Sequence, residues 1–153
     1  MGRGVWSPIR DRAAAVEAAE VNARDAAGTT PLHYAAQEGQ TEAIKLLLDN
    51  RCDVKVVNDD GTTAPHLAAA YGHREVDERL LARGAAIDAE DKSGATPLHL
   101  AAAYGRAAVV RVLLAHGADA KAEDGDGNRR FDLAKANEHP EAVALLERFE
   151  TDD

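Results

Sequence analysis

Apolar residues come in short bursts separated by polar turns. Ile44, Leu47 and Leu48 share one face at helical spacing, and the pairs Leu80-Leu81 and Leu113-Leu114 renew that face further on. Ahead of each burst stands a threonine with a proline close behind: Thr30-Pro31, Thr63-Ala64-Pro65 and Thr96-Pro97. Threonine there caps a helix with its hydroxyl, and proline suits the first turn, where a missing N–H is no loss. Nine residues after each threonine comes a glycine, Gly39, Gly72 or Gly105, suited to the positive φ that ends a helix. The pattern predicts pairs of helices of about ten residues or fewer. Isolated helices are marginal below ~12–15 residues, so stacking must hold these.

The spacing is a 33-residue clock. Thr30-Pro31-Leu32-His33-Tyr34-Ala35-Ala36 returns 66 residues later as Thr96-Pro97-Leu98-His99-Leu100-Ala101-Ala102, with the damaged copy Thr63-Ala64-Pro65-His66-Leu67-Ala68-Ala69 between them. Gly28, Gly61, Gly94 and Gly127 keep the same period. This threonine-proline-leucine-histidine core resembles the ankyrin repeat. The resemblance implies an all-α solenoid of stacked helix–turn–helix units with short β-hairpin tips, forming a single domain over 1–153. Its parts are an N-terminal half-repeat cap at 1–24, repeats at 25–57, 58–90 and 91–123, a capping repeat at 124–150 and a tail at 151–153. Ser7-Pro8 starts a short helix in the first cap. In the last unit Arg129 and Arg130 stand at the Thr-Pro positions and Glu138 at the Gly39 position, polar swaps that suit an outer face.

Composition narrows the chemistry. Hydrophobic residues make up 45% of the chain but aromatics only 4%, so small residues must build the core and no aromatic-lined cofactor pocket is expected. One cysteine, Cys52, excludes an internal disulfide framework and a cysteine-based zinc knuckle, and fits a reducing compartment. The net charge is −9; residues 1–24 carry four Arg against three acids, leaving 14 basic against 24 acidic residues elsewhere. That surface repels phosphate backbones, and no apolar run approaches the ~20 residues that span a bilayer. Nucleic acid and membrane are therefore not expected as partners, and the cytoplasm is the expected location.

Six histidines invite a metal or catalytic reading. His33, His66 and His99 hold one repeat position, however, and a ring in every copy points to scaffold, as the family resemblance also implies. His73 and His116 are expected to be solvated. No metalloprotease, nucleophile-elbow or phosphate-loop pattern occurs, so no catalytic residue, cofactor or metal is assigned. The acidic runs Asn58-Asp59-Asp60, Glu90-Asp91 and Glu123-Asp124-Gly125-Asp126-Gly127 fall at the tips. They serve either turn chemistry or a negative strip for a basic partner. Position twelve counted from Asp124 is Lys135, which defeats an EF-hand.

Repeat two departs most. Pro65 removes an inward leucine and biases Ala64 away from the α region, so a late helix start is expected. Asp77 and Arg79 replace Ile44/Val110 and Leu46/Val112, and Asp77 is expected to be partnered or near solvent. Drift in a redundant stack accounts for this, or else a soft, adaptable middle.

The family resemblance implies a non-catalytic protein-binding module, an inhibitor or adaptor, acting as a monomer through a concave face of tips and first helices. The variable positions it carries over are Gln37 and Glu38, Asp59, Asp60 and Tyr71, and Lys92, Ser93 and Tyr104, with Arg83 and His116 at second-helix ends. Thr30, Pro31, Leu32, His33, His66, Thr96, Pro97, Leu98 and His99 are the structural motif. Tyrosine favours binding hot spots, so Tyr71 and Tyr104, one period apart, are the expected anchors for a partner with a basic or mixed basic and apolar surface. A partnerless stability scaffold and a hydrolase hidden in the stack are the competing readings.

Overall fold

A computed structural model describes residues 21–121, 123–125, 127 and 139–151. The Ser7-Pro8 helix and the swapped motif around Arg129, Arg130 and Glu138 lie outside these residues. Seven helices are described: α1 (Pro31–Glu38), α2 (Thr41–Asp49), α3 (Ala64–Tyr71), α4 (Arg74–Ala82), α5 (Pro97–Ala103), α6 (Ala107–Ala115) and α7 (Pro140–Thr151). First helices stack in one row, α1 on α3 on α5, and second helices in another, α2 on α4 on α6 on α7. Leu32 and Leu98 from the first row and Ile44, Leu47, Leu80 and Leu113 from the second are fully buried, and Ala35, Ala36, Ala68, Ala69, Ala101 and Ala102 let the first-row helices approach closely.

Each first helix begins in a reciprocal cap. Thr30, Thr63 and Thr96 accept from the amides of His33, His66 and His99 through Oγ1, while each threonine's own N–H donates to the histidine Nδ1 at 3.0–3.1 Å. Histidine thus takes the place that Glu or Gln holds in the usual capping box. The far nitrogen reaches the next repeat: His33 Nε2 donates to the Thr62 carbonyl and His66 Nε2 to the Ala95 carbonyl, both at 2.8 Å. A carbonyl can only accept, so Nε2 carries the hydrogen and Nδ1 offers a lone pair to threonine. The ring is therefore neutral. Burial holds His33 and His66 below the ordinary imidazole range.

A second ladder closes the other end. His73 Nε2 donates to the Gln37 carbonyl at 2.9 Å, Arg106 Nε to the Ala70 carbonyl at 3.0 Å, and His139 Nε2 to the Ala103 carbonyl at 3.0 Å. His73 is therefore half-buried and bonded, not solvated as its place beside a turn glycine suggested. Its ring lies over Gly39, at φ 70°, where an added Cβ would fall 2.5 Å from Nδ1. Glycine is required there for its conformation and for the approach of the ring.

Repeat two corrects two further expectations. Its first helix starts at Ala64, in register with Pro31 and Pro97, rather than late. Thr63 still caps it, and Pro65 sits in the first turn, whose amides have no partner within the helix. Asp77 is neither partnered nor near solvent. It is fully buried, neither carboxyl oxygen has a hydrogen-bond partner, and burial drives its pKa well above the ordinary aspartate range. The start of α4 favours a negative charge by about 1 kcal/mol at most, whereas burying an ion costs several, so docking of the helix favours the protonated carboxyl.

The tips are turns, with an isolated bridge at Glu123, rather than two-stranded hairpins among the described residues. Asp25, Asn58 and Asp91 each turn a side-chain oxygen back onto the amides two and four residues on, at 2.9–3.0 Å. Local side-chain bonds satisfy the amides that a strand would otherwise pair. Tip joins tip through single bonds, Asp59 N–H to the Ala27 carbonyl and Lys92 N–H to that of Asp60, both at 3.0 Å, and Gly125 N–H to that of Ser93 at 2.8 Å.

Replacing His66 by alanine strands a buried carbonyl and a buried amide, and lowers unfolding free energy by about 1–3 kcal/mol near pH 7.5. Because the folded pKa lies below the unfolded value of 6.5, the contribution of the ring is complete above that pH and fades as pH falls through the folded value. Urea denaturation of wild type and His66→Ala at several pH values checks this. The gap between them shrinks below pH 6.5.

Candidate functional site

Exposed aromatics gather on the first-helix row. Tyr71 ends α3, and Tyr104, in the same register, follows α5; they are 50% and 56% exposed on a chain with few aromatics. Tyr34 on α1, 39% exposed, was not among the expected anchors. It stands where Leu67 and Leu100 stand in the next repeats, and that substitution was the sign of it. Its hydroxyl donates to Asp25 Oδ2 at 2.5 Å, which lowers the Asp25 pKa and raises that of Tyr34.

The acidic tips divide by role. Asp25 and Asp91 hold their own turns. Burial pushes the Asp91 carboxyl up, but hydrogen bonds from the Ser93 hydroxyl and from the Ala95 and Ser93 amides outweigh it and hold the pKa below the ordinary range. Ser93 Oγ donates to Asp91 at 2.7 Å, so Ser93 belongs to the turn as well. Asp59, Asp60, Glu90 and Lys92 are exposed. Gln37 is half-buried with its carbonyl bonded to His73, and Glu38 beside it is exposed.

The second-helix candidates sit differently. Arg83 pairs with Asp49, tying repeat two to repeat one, and Lys45 and Arg83 together lower the Asp49 pKa. His116 donates through Nδ1 to the Val112 carbonyl of its own helix at 2.9 Å. It lines a shallow groove of about 240 Å³ between α4 and α6, beside Arg74, Glu78 and Arg111.

Nucleophile chemistry has little footing. Cys52 is buried after α2, and burial pushes its thiol up to about 12, with Asp53 adding to the effect. A thiol so disposed holds almost no thiolate at neutral pH. Among the described residues, no three His, Cys, Asp or Glu side chains converge as metal ligands. No described helix is long and apolar enough to cross a membrane.

Stacked helix pairs, reciprocal Thr–His caps and a fixed 33-residue register are the geometry of one repeat family, and the family model of ankyrin repeats matches in three copies, over residues 12–91, 32–124 and 77–151. The chain belongs to the ankyrin-repeat family. This places it among modules associated with protein–protein interaction. Among curated proteins, it is similar to protein phosphatase 1 regulatory subunit 12A of Mus musculus and of Rattus norvegicus, 51% identical over 39 residues in each case. The match takes in 26% of this ankyrin chain and 4% of either relative. It is little longer than one repeat, so it reflects what a repeat demands more than a shared partner.

Native protein at pH 8 leaves Cys52 unmodified by a thiol reagent over the time in which denatured protein is fully labelled. Mass spectrometry of both samples checks this. Labelling of the native fold at a comparable rate would restore Cys52 as a reactive group.

Proposed function

We propose that this ankyrin-repeat protein binds a partner protein without chemistry, as an inhibitor or adaptor, through the tips and the first-helix row. The observation that carries the reading is the pair Tyr71 and Tyr104. Burying an aromatic ring is worth several kcal/mol to a fold this poor in aromatics, yet both rings lie open to solvent in register. Asp59, Asp60 and Glu90 at the neighbouring tips supply negative charge. The matching partner presents basic or amide groups to the tips and an apolar patch to the tyrosines. Gln37, Glu38 and Lys92 complete the surface, with Tyr34 at its N-terminal end. We assign the protein to the cytoplasm as a monomer; its single thiol is buried and its strongly acidic surface opposes self-association. A regulatory role is consistent with binding by occlusion.

Pull-down with mass spectrometry, followed by surface binding kinetics, tests the reading. Tyr104→Ala weakens binding at least about tenfold, equivalent to ~1.4 kcal/mol. Asp59→Asn combined with Asp60→Asn chiefly slows association and flattens its salt dependence. If Tyr71→Ala and Tyr104→Ala bind like wild type while Arg111→Ala on the second-helix row loses binding, the surface is misassigned.

A further inference from the structure

The buried apolar residues form two clusters that meet at repeat two. One runs from Val21 through Ile44 and Leu47 to Val76 and Leu80, and the other from Ala69 and Leu98 through Val110 and Leu113 to Leu146. Asp77 stands at the junction, where the same register holds Ile44 in the first cluster and Val110 in the second. Its helix buries fewer apolar residues than the two helices on either side of it. α4 buries Val76, Asp77 and Leu80, whereas α2 buries four residues, all apolar, and α6 five.

Nothing nearby offsets a charge at Asp77. α4 packs on α2, α3 and α6. The titratable and charged groups of these elements are Glu42, Lys45 and Asp49 on α2, His66 and Tyr71 on α3, and Arg111 on α6. α4 itself adds Arg74, Glu75, Glu78 and Arg79, and the flanking caps add His73, Arg83, Arg106 and His116. Only His66 among them is buried, and both of its nitrogens are already bonded to repeat partners. None bonds either Asp77 oxygen.

We propose that Asp77 makes the middle of the solenoid a proton-controlled joint: the neutral carboxyl allows α4 to dock, and its ionisation releases α4 from the stack by local opening. The sign follows from linkage. An open α4 exposes Asp77 to water, where it ionises above about pH 3.8, while the docked form keeps its proton to a much higher pH. Between those two values opening releases one proton, so the opening constant rises about tenfold per pH unit. Above the docked value it levels off. The joint thus loosens as pH rises, opposite in direction to the histidine clamps, which weaken as pH falls.

Hydrogen exchange of the full chain across pH 5 to 8, corrected for intrinsic exchange rates, reads this directly. In wild type, amides of Glu78–Ala82 lose protection with rising pH relative to those of α2 and α6. Asp77→Val removes that slope and raises α4 protection at pH 8 at least tenfold. Asp77→Asn, which keeps a polar group but cannot ionise, also removes the slope, separating ionisation from polarity. Wild-type α4 protection that tracks α2 and α6 at every pH overturns the proposal. So does a slope that survives in Asp77→Asn.

Discussion

The structure depends on a histidine that is kept neutral. In the first two full repeats one imidazole accepts from the threonine that caps its own helix and donates to a carbonyl of the next unit, as His66 does with Thr63 and Ala95. One side chain thereby joins local structure to stacking. The helices are too short to persist alone, and their starts are fixed by the ring that clips them to a neighbour. A protonated ring would turn an N–H toward the threonine amide and break the cap while the outer bond survived. Protonation therefore strikes the local cap first, and because the helices cannot persist alone, a lost cap weakens the stack built on it.

The second ladder places the first-helix surface. His73, Arg106 and His139 each take up a carbonyl at the end of the preceding first helix, a position where a short helix leaves acceptors unsatisfied. Those carbonyls belong to Gln37, Ala70 and Ala103, the residues just before Glu38, Tyr71 and Tyr104. The candidate contact positions therefore stand on helix ends pinned from behind by the next repeat. An anchored backbone with an exposed side chain is a preorganised contact, and little ordering entropy remains to be lost on binding.

Much of this was legible in the sequence, because a repeat averages over local noise. The Thr-Pro-Leu-His register located every first helix among the described residues, including α3, whose displaced proline pointed to a late start. The cap at Thr63 prevailed because proline in a first turn removes no helical hydrogen bond. What the pattern could not convey was direction. His73 beside Gly72 reads as a solvated turn residue until the preceding carbonyl is located 36 residues back in the chain. Asp25 and Asp91 look identical in kind to Asp59 and Asp60, yet the first two close turns on their own amides. Asp77 was visible as an anomaly, but the instinct to give a buried acid a partner was wrong.

That error bears on how repeat two accommodates a buried acid. In a single-core domain, a lone carboxylate at the centre would put the whole fold at risk, since several kcal/mol is a large share of a stability of 5–15. A solenoid distributes the penalty differently. Each unit touches only its neighbours, so a fault in α4 strains its contacts with α2, α3 and α6 and leaves α1 on α2 and α5 on α6 intact. Both flanking clusters keep complete apolar faces, and the first-row ladder runs unbroken through His66. The defect is confined to the second-helix row. Tyr71 and Tyr104 lie on the first row, so the contact surface stays in register even where the row behind it carries the buried acid.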